Sequence, residues 1–321
     1  MFEGVLPAII TPFKRNPAMG LDIPGLEKNI GFLLSRGVHG IVPCGSTGES
    51  ATLTFEEHEK IIRVTVDKIN GKIPVLAGTG SNNTAEAVQL TKAAKDIGAD
   101  GVLLISPYYN KPNRAGLVKH YTKIADLDIP VIMYNVPSRT GQNMEPDLVA
   151  ELAQHPNIWG IKEASGNIGQ ISRIIEETQD DDFIVISGDD NITLPIMALG
   201  GSGVISVAAN VDPKRMVDMC EAIWKGDYQK ALVIHYALSP LFRSMFIDTN
   251  PIPVKKAVEL MGMAGGPVRL PLDELDAKKT DQLKKILATI PKEATTERAV
   301  PKKIPQKAVA RKPTAAKPKR R

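Results

Sequence analysis

At 321 residues, with 43% hydrophobic and 24% charged side chains, the chain is large enough for one barrel-sized domain with additions. It contains no run approaching the roughly 18 apolar residues of a membrane helix, and residues 1–11 lack the basic start and small-residue cleavage site of a signal peptide, so a cytoplasmic location is expected. The net charge of +4 is unevenly placed: residues 291–321 hold eleven Lys or Arg against two Glu, which leaves −5 on residues 1–290.

Short β-rich apolar runs alternate with helical patterns, the order expected of βαβ units around a parallel sheet. The expected strands are 4–10, 40–44, 74–78, 101–106, 130–135, 158–163, 183–188 and 203–207, with amphipathic segments such as 23–35, 56–69, 84–97, 115–125 and 147–154 between them. Eight such repeats close most economically into an α/β protein of the (β/α)8, or TIM-barrel, type, assigned to residues 1–226. An open doubly wound sheet would normally carry Gly-x-Gly-x-x-Gly after its first strand, and that fingerprint is absent. Thr54 with Glu57 forms a capping box, and Gly98 stops the helix that ends near Ile97. The cluster Gly200-Gly201-Ser202-Gly203 precedes the eighth strand, opposite a barrel's active face, and reads as a helix stop rather than a phosphate cradle.

Residues 227–245, 253–261 and 273–290 read as three further helices, a small C-terminal part over 227–290 packed beside the barrel. Residues 291–321, rich in Lys, Pro and Ala, cannot bury enough surface to order themselves and are expected to be a disordered basic tail. Such a tail attracts anionic partners non-specifically, so a protein that binds nucleic acid or another anion through it is the alternative from a different functional class. Cys44 and Cys220 are far apart and without further Cys or His at ligand spacing, which supports neither a disulfide framework nor a zinc site.

In a barrel, chemistry sits at the C-terminal strand ends. There the chain places Gly45-Ser46-Thr47-Gly48-Glu49-Ser50, Pro107-Tyr108-Tyr109-Asn110, Tyr134-Asn135-Val136-Pro137-Ser138-Arg139, Lys162-Glu163 and Ser187-Gly188-Asp189-Asp190. Lys162 follows the apolar Trp159-Gly160-Ile161, where burial would lower its pKa and free a neutral, nucleophilic amine. The alternatives are an ion pair with Glu163, weakened because adjacent strand residues face opposite ways, or an outward-facing lysine. Gly45 to Gly48 offers consecutive N–H groups and two hydroxyls for a carboxylate, or else simply caps the next helix. Tyr134 and the Tyr108-Tyr109 pair are phenolic proton donors or packed residues; Arg139 is a bidentate carboxylate binder or half of a surface salt bridge.

Together these motifs, in this order, resemble the dihydrodipicolinate synthase and N-acetylneuraminate lyase family of class I aldolases. The likeness extends over residues 1–290 and includes Thr11-Pro12-Phe13, Gly160 to Ser165, Gly203 to Val207 and Asn250-Pro251-Ile252-Pro253-Val254-Lys255. The resemblance implies that Lys162 forms a Schiff base with pyruvate, that Ser46 and Thr47 hold its carboxylate, and that Gly188 and Ile205 complete the pocket through backbone groups. It implies Tyr134 as general acid and base, with Thr47 relaying protons to a Tyr109 contributed by a neighbouring subunit of a homotetramer built as a dimer of dimers. It implies no metal and no organic cofactor.

Arg139 matches the arginine that binds aspartate semialdehyde in the synthase branch, so the resemblance implies condensation of pyruvate with that aldehyde, at the start of lysine and diaminopimelate synthesis. Another pyruvate-dependent aldolase, acting on N-acetylneuraminate, a 2-keto-3-deoxy sugar acid or 4-hydroxy-2-oxoglutarate, is the alternative within the family. Ser46 departs from the second threonine common in that branch but keeps a hydroxyl. Allosteric feedback by lysine is implied through Ser50, Ala51, His58, Asn82, Glu86 and Tyr108, although Phe55 stands where a sensitive enzyme often has another histidine. For His58 alone, an exposed helix residue between Glu57 and Glu59 is the other reading.

Overall fold

The computed structural model describes residues 2–290, and the expected tail over 291–321, with any anionic partner it would have, lies outside the described residues. Along the described chain run β1 (Gly4–Pro7), α1 (Ile23–Ser35), α2 (Phe55–Ile69), β2 (Leu76–Gly78), α3 (Thr84–Ile97), β3 (Gly101–Ile105) and α4 (Arg114–Ala125). Next come β4 (Val131–Asn135), α5 (Pro137–Thr140), α6 (Pro146–Ala153), β5 (Ile158–Glu163), α7 (Ile168–Glu177), β6 (Ile184–Ser187), α8 (Thr193–Ala198), β7 (Gly203–Ser206) and α9 (Pro213–Trp224). The last helices are α10 (Tyr228–Ser244), α11 (Ile252–Leu260) and α12 (Ala277–Leu287).

The named strands form one parallel sheet in the order β1-β7-β6-β5-β4-β3-β2. Its two edges are joined by residues 40–44, the second expected strand. Val42 N donates to Pro7 O at 2.9 Å and Ile9 N to Val42 O at 3.0 Å; on the other side Ile41 N donates to Pro74 O at 3.0 Å and Leu76 N to Ile41 O at 2.9 Å. These bonds close a (β/α)8 barrel, but as isolated bridges and not as a full strand. Pro43 has no N–H to donate, and Cys44 turns out of extended geometry at φ +57°.

Side-chain alternation gives the closed sheet an inner and an outer face. Leu6, Leu103, Ile132, Tyr134, Ile186 and Ile205 gather in one inner cluster, while Val131, Met133, Ile161, Val185 and Val204 pack outward against the helices. Closure between β7 and β1 requires a glycine: a Cβ on Gly203 would stand 2.1 Å from Gly4 O. The local stops and starts match expectation. Thr54 and Glu57 make the reciprocal capping box of α2, Gly98 ends α3 at φ +98°, and Gly200, at φ +110°, follows α8.

Candidate active site

A cavity of about 730 Å³ opens at the C-terminal ends of the strands. Lys162, Tyr134, Ser46, Thr47, Arg139 and Gly188 all line it, as the sequence places them. The C-terminal part does more than pack beside the barrel, because Arg243, Phe246, Thr249, Asn250, Pro271 and Leu272 form part of the wall.

Lys162 lies on β5 beside Tyr134 on β4, their Cα atoms paired in register. The ammonium nitrogen is 4.1 Å from the Tyr134 ring centroid, and the residue is 6% exposed. Glu163 faces the other way, where its carboxylate accepts from Ser165 N at 2.7 Å and from Asn135 Nδ2 at 3.1 Å, so the ion-pair reading of Lys162 fails. Desolvation lowers the Lys162 pKa to about 7; the Asp190 charge opposes that fall and the Arg139 charge adds to it. Glycine at position 188 leaves room for the Lys162 side chain. A Cβ there would lie 3.0 Å from Lys162 Cε and 2.7 Å from Ala164 Cβ.

Burial likewise pushes the Tyr134 phenol up to about 12, with Arg139 pulling in the opposite direction. Thr47, 3% exposed, accepts at Oγ1 from Asn250 Nδ2 at 3.0 Å, which leaves its own hydroxyl hydrogen free to donate. The turn Ser46–Gly48 closes with Gly48 N on Gly45 O at 2.9 Å and Glu49 N on Ser46 O at 3.2 Å. The N–H groups of Ser46 and Thr47 open this turn and so have no acceptor within it. Arg139, on α5, donates from Nη2 to Asn250 O at 3.2 Å.

Other candidates stand elsewhere. Ile205 is buried in the barrel's inner cluster, and Val207, two residues further on, lines the cavity. Tyr109 is 89% exposed at φ +72° and does not line its own chain's cavity. Ser50, Ala51 and Tyr108 reach the cavity, whereas His58, Asn82 and Glu86 do not. His58 is not the exposed helix residue that its acidic neighbours suggested: it is 5% exposed, with Nε2 2.7 Å from Gly78 O, and burial lowers its pKa. Glu86 accepts from Ser81 Oγ at 2.8 Å, and Asn82 O accepts from Asn110 Nδ2 at 2.8 Å.

Two residues of the site had no role in the sequence reading. Asp190 is buried, accepts from Ser206 Oγ at 2.6 Å, Ala208 N at 2.9 Å and Val207 N at 3.1 Å, and is raised to about 6 by desolvation. Asn250 is 6% exposed, and its Oδ1 has no hydrogen-bond partner among the described residues. The only sequence signals were a second carboxylate after Gly188 and a polar residue ahead of the Pro-rich start of a helix.

A family model described as the dihydrodipicolinate synthetase family matches residues 1–290. The 4-hydroxy-tetrahydrodipicolinate synthase of Methanoculleus marisnigri is 73% identical over 287 residues, covering 89% of this chain and 99% of the relative. The crystal structure of dihydrodipicolinate synthase from Aquifex aeolicus superposes with a TM-score of 0.87 at 46% identity, covering 89% of this chain and 97% of that one. The enzyme from Cyanidioschyzon merolae, solved with lysine bound, gives 0.87 at 40% identity, covering 90% and 98%. A buried lysine with no ion-pair partner among the described residues, on the fifth named strand of a barrel, and these likenesses lead to one conclusion: the chain belongs to the dihydrodipicolinate synthetase family.

Proposed function

We infer that the protein is a 4-hydroxy-tetrahydrodipicolinate synthase, which condenses pyruvate with aspartate semialdehyde through a Schiff base on Lys162, at the start of lysine and diaminopimelate synthesis. The observation that carries this reading is the Lys162 amine itself, buried against Tyr134 with its pKa lowered to about 7. At that value a large share of the amine is neutral near neutral pH, where an ordinary lysine leaves less than about one part in a thousand.

In this mechanism the N–H groups and hydroxyls of Ser46 and Thr47 hold the pyruvate carboxylate, and Lys162 Nζ adds to the keto carbon. Tyr134, a phenol that is protonated at neutral pH and whose pKa burial raises further, to about 12, donates to the carbinolamine oxygen that leaves as water. Loss of a methyl proton from the resulting iminium gives an enamine, whose carbon attacks the aldehyde while Arg139 binds the aldehyde's carboxylate. The amino group of the incoming substrate then adds to the imine carbon and releases the Lys162 amine. Gly188 and Ile205 contribute the backbone around the imine.

Tyr109, exposed in its own chain, is assigned to the cavity of a neighbouring copy, with Thr47 relaying protons between it and Tyr134. The working unit is then at least a dimer, and a dimer of dimers in the full assembly. Lysine is proposed as an effector at Ser50, Ala51 and Tyr108 with Asn82 and Glu86, His58 acting from behind on Gly78; the lysine-bound Cyanidioschyzon structure supports that reading.

Borohydride reduction in the presence of pyruvate, followed by intact mass, tests the chemistry: a pyruvate-sized adduct forms on the wild type and not on Lys162→Ala. Condensation with aspartate semialdehyde tests the substrate. Arg139→Ala should keep the pyruvate adduct and lose most of the turnover. Wild-type protein that reduces onto pyruvate but ignores aspartate semialdehyde would move the assignment to another aldolase of the family.

A further inference from the structure

The turn assigned to the pyruvate carboxylate is a weak structure by itself, three residues of 3-10 helix with one backbone bond at each step. It exits through Glu49 at φ +54° and ψ +37°, a left-handed conformation that costs a residue bearing a Cβ roughly 1 kcal/mol. Something outside the turn must hold it.

The Glu49 side chain supplies that hold. It is 1% exposed, with Oε1 accepting from Lys255 Nζ at 2.5 Å and Oε2 from Arg269 N at 3.0 Å. Lys255, on α11, is equally buried. Its other protons go to Pro267 O at 2.6 Å and Thr11 O at 3.0 Å, and its charge lies 4.4 Å from the Phe13 ring centroid. Thr11 completes the circuit, since its Oγ1 donates to Gly48 O at 2.7 Å. Both Gly48 and Glu49 are therefore tied to one ammonium, directly or through Thr11. The same helix begins just after Asn250, which bonds Thr47.

Stability does not account for such a pair. Replacing buried ions by apolar side chains of matching size is often neutral or stabilising, because desolvation cancels much of the attraction. An ammonium with three directional acceptors does supply a defined position.

We propose that the Glu49–Lys255 pair positions the carboxylate-binding turn: it sets where the N–H groups of Ser46 and Thr47 stand and thereby the affinity for pyruvate, with no part in bond making. The proposal rests on the assignment of that turn to pyruvate. A pyruvate carboxylate is bound alike before and during reaction, so loosening its site raises KM and leaves kcat nearly unchanged. A merely structural pair would lower thermal stability without moving pyruvate affinity.

The experiment titrates pyruvate against borohydride-trapped adduct and against steady-state turnover in wild type, Glu49→Gln, Lys255→Met and Asp100→Ala. Asp100 accepts from Val75 N at 2.8 Å at the N-terminal ends of the strands, away from the cavity, and serves as the control for lost stability. Lys255→Met is expected to raise half-saturating pyruvate about tenfold or more, the scale of a lost charged hydrogen bond, with an unchanged adduct plateau. Glu49→Gln, of equal size and still an acceptor for Lys255, should give a smaller rise and carries the test should Lys255→Met not fold. Asp100→Ala should melt earlier with unchanged half-saturation. Folded Glu49 and Lys255 variants with wild-type half-saturation, or an equal rise in Asp100→Ala, overturn the proposal. Absence of adduct on the wild type overturns the assignment of Lys162 and the premise with it.

Discussion

Replacing Lys162 by Met should make the protein more stable, by an amount that depends on pH. The amine is 6% exposed and its pKa falls from 10.5 to about 7, with desolvation as the largest cause. At about 1.36 kcal/mol per unit, holding the protonated form in the folded cavity costs roughly 5 kcal/mol relative to the unfolded chain. Below pH 7 both states carry the proton and the cost is felt in full. Between about 7 and 10.5 the unfolded chain keeps a proton that the folded one has released, so wild-type stability gains with pH; above both values the cost is gone. Met is apolar and similar in length, and it carries none of this dependence. The advantage of Lys162→Met should therefore be several kcal/mol near pH 7 and should shrink steadily toward pH 10.5. Asp190, raised to about 6, is ionised throughout that window and does not confuse it. Urea midpoints of both proteins at matched pH, with equal denaturant slopes, measure the difference. A difference that stays constant with pH, or a variant less stable at pH 7, would show that the lysine is charged and paired in the cavity.

Three further outcomes are expected. Gly188→Ala places a methyl 3.0 Å from Lys162 Cε, which should cost roughly 1–3 kcal/mol of stability and slow pyruvate adduct formation by about a hundredfold in quench-flow; an unchanged rate would mean that the lysine does not need that path. Lys162→Ala and Tyr109→Phe chains, unfolded and reassembled together, should recover condensation that neither has alone, and no recovery would return Tyr109 to a surface role. Deleting residues 291–321 should leave kcat and KM as they are, because the cavity wall is drawn from residues 8–272, and a large loss would bring the tail into the site.

The barrel was legible because its signals are local. Period-two alternation sorts Ile132 and Tyr134 from Val131 and Met133 within one strand, and a Thr54–Glu57 box or a Gly98 stop is complete within a few residues. The second strand was visible as an apolar run, but its shrinkage to bridges depends on Pro43 and Cys44 meeting neighbours on both sides. His58 shows the same limit. Helical spacing put it on α2, and only the docking of that helix on β2 decided that it faces Gly78 O.

Composition and short-range pattern were thus enough to determine the fold class, the strand ends where chemistry belongs, and Lys162 as a charge among apolar neighbours. The tertiary structure alone decided what surrounds that charge. Asn250 meets Thr47 across 203 residues and Lys255 meets Glu49 across 206, contacts that no local period encodes. The Lys162 pKa is likewise a property of the closed barrel, because desolvation is done by the side chains that close over the amine and not by those next to it in the chain.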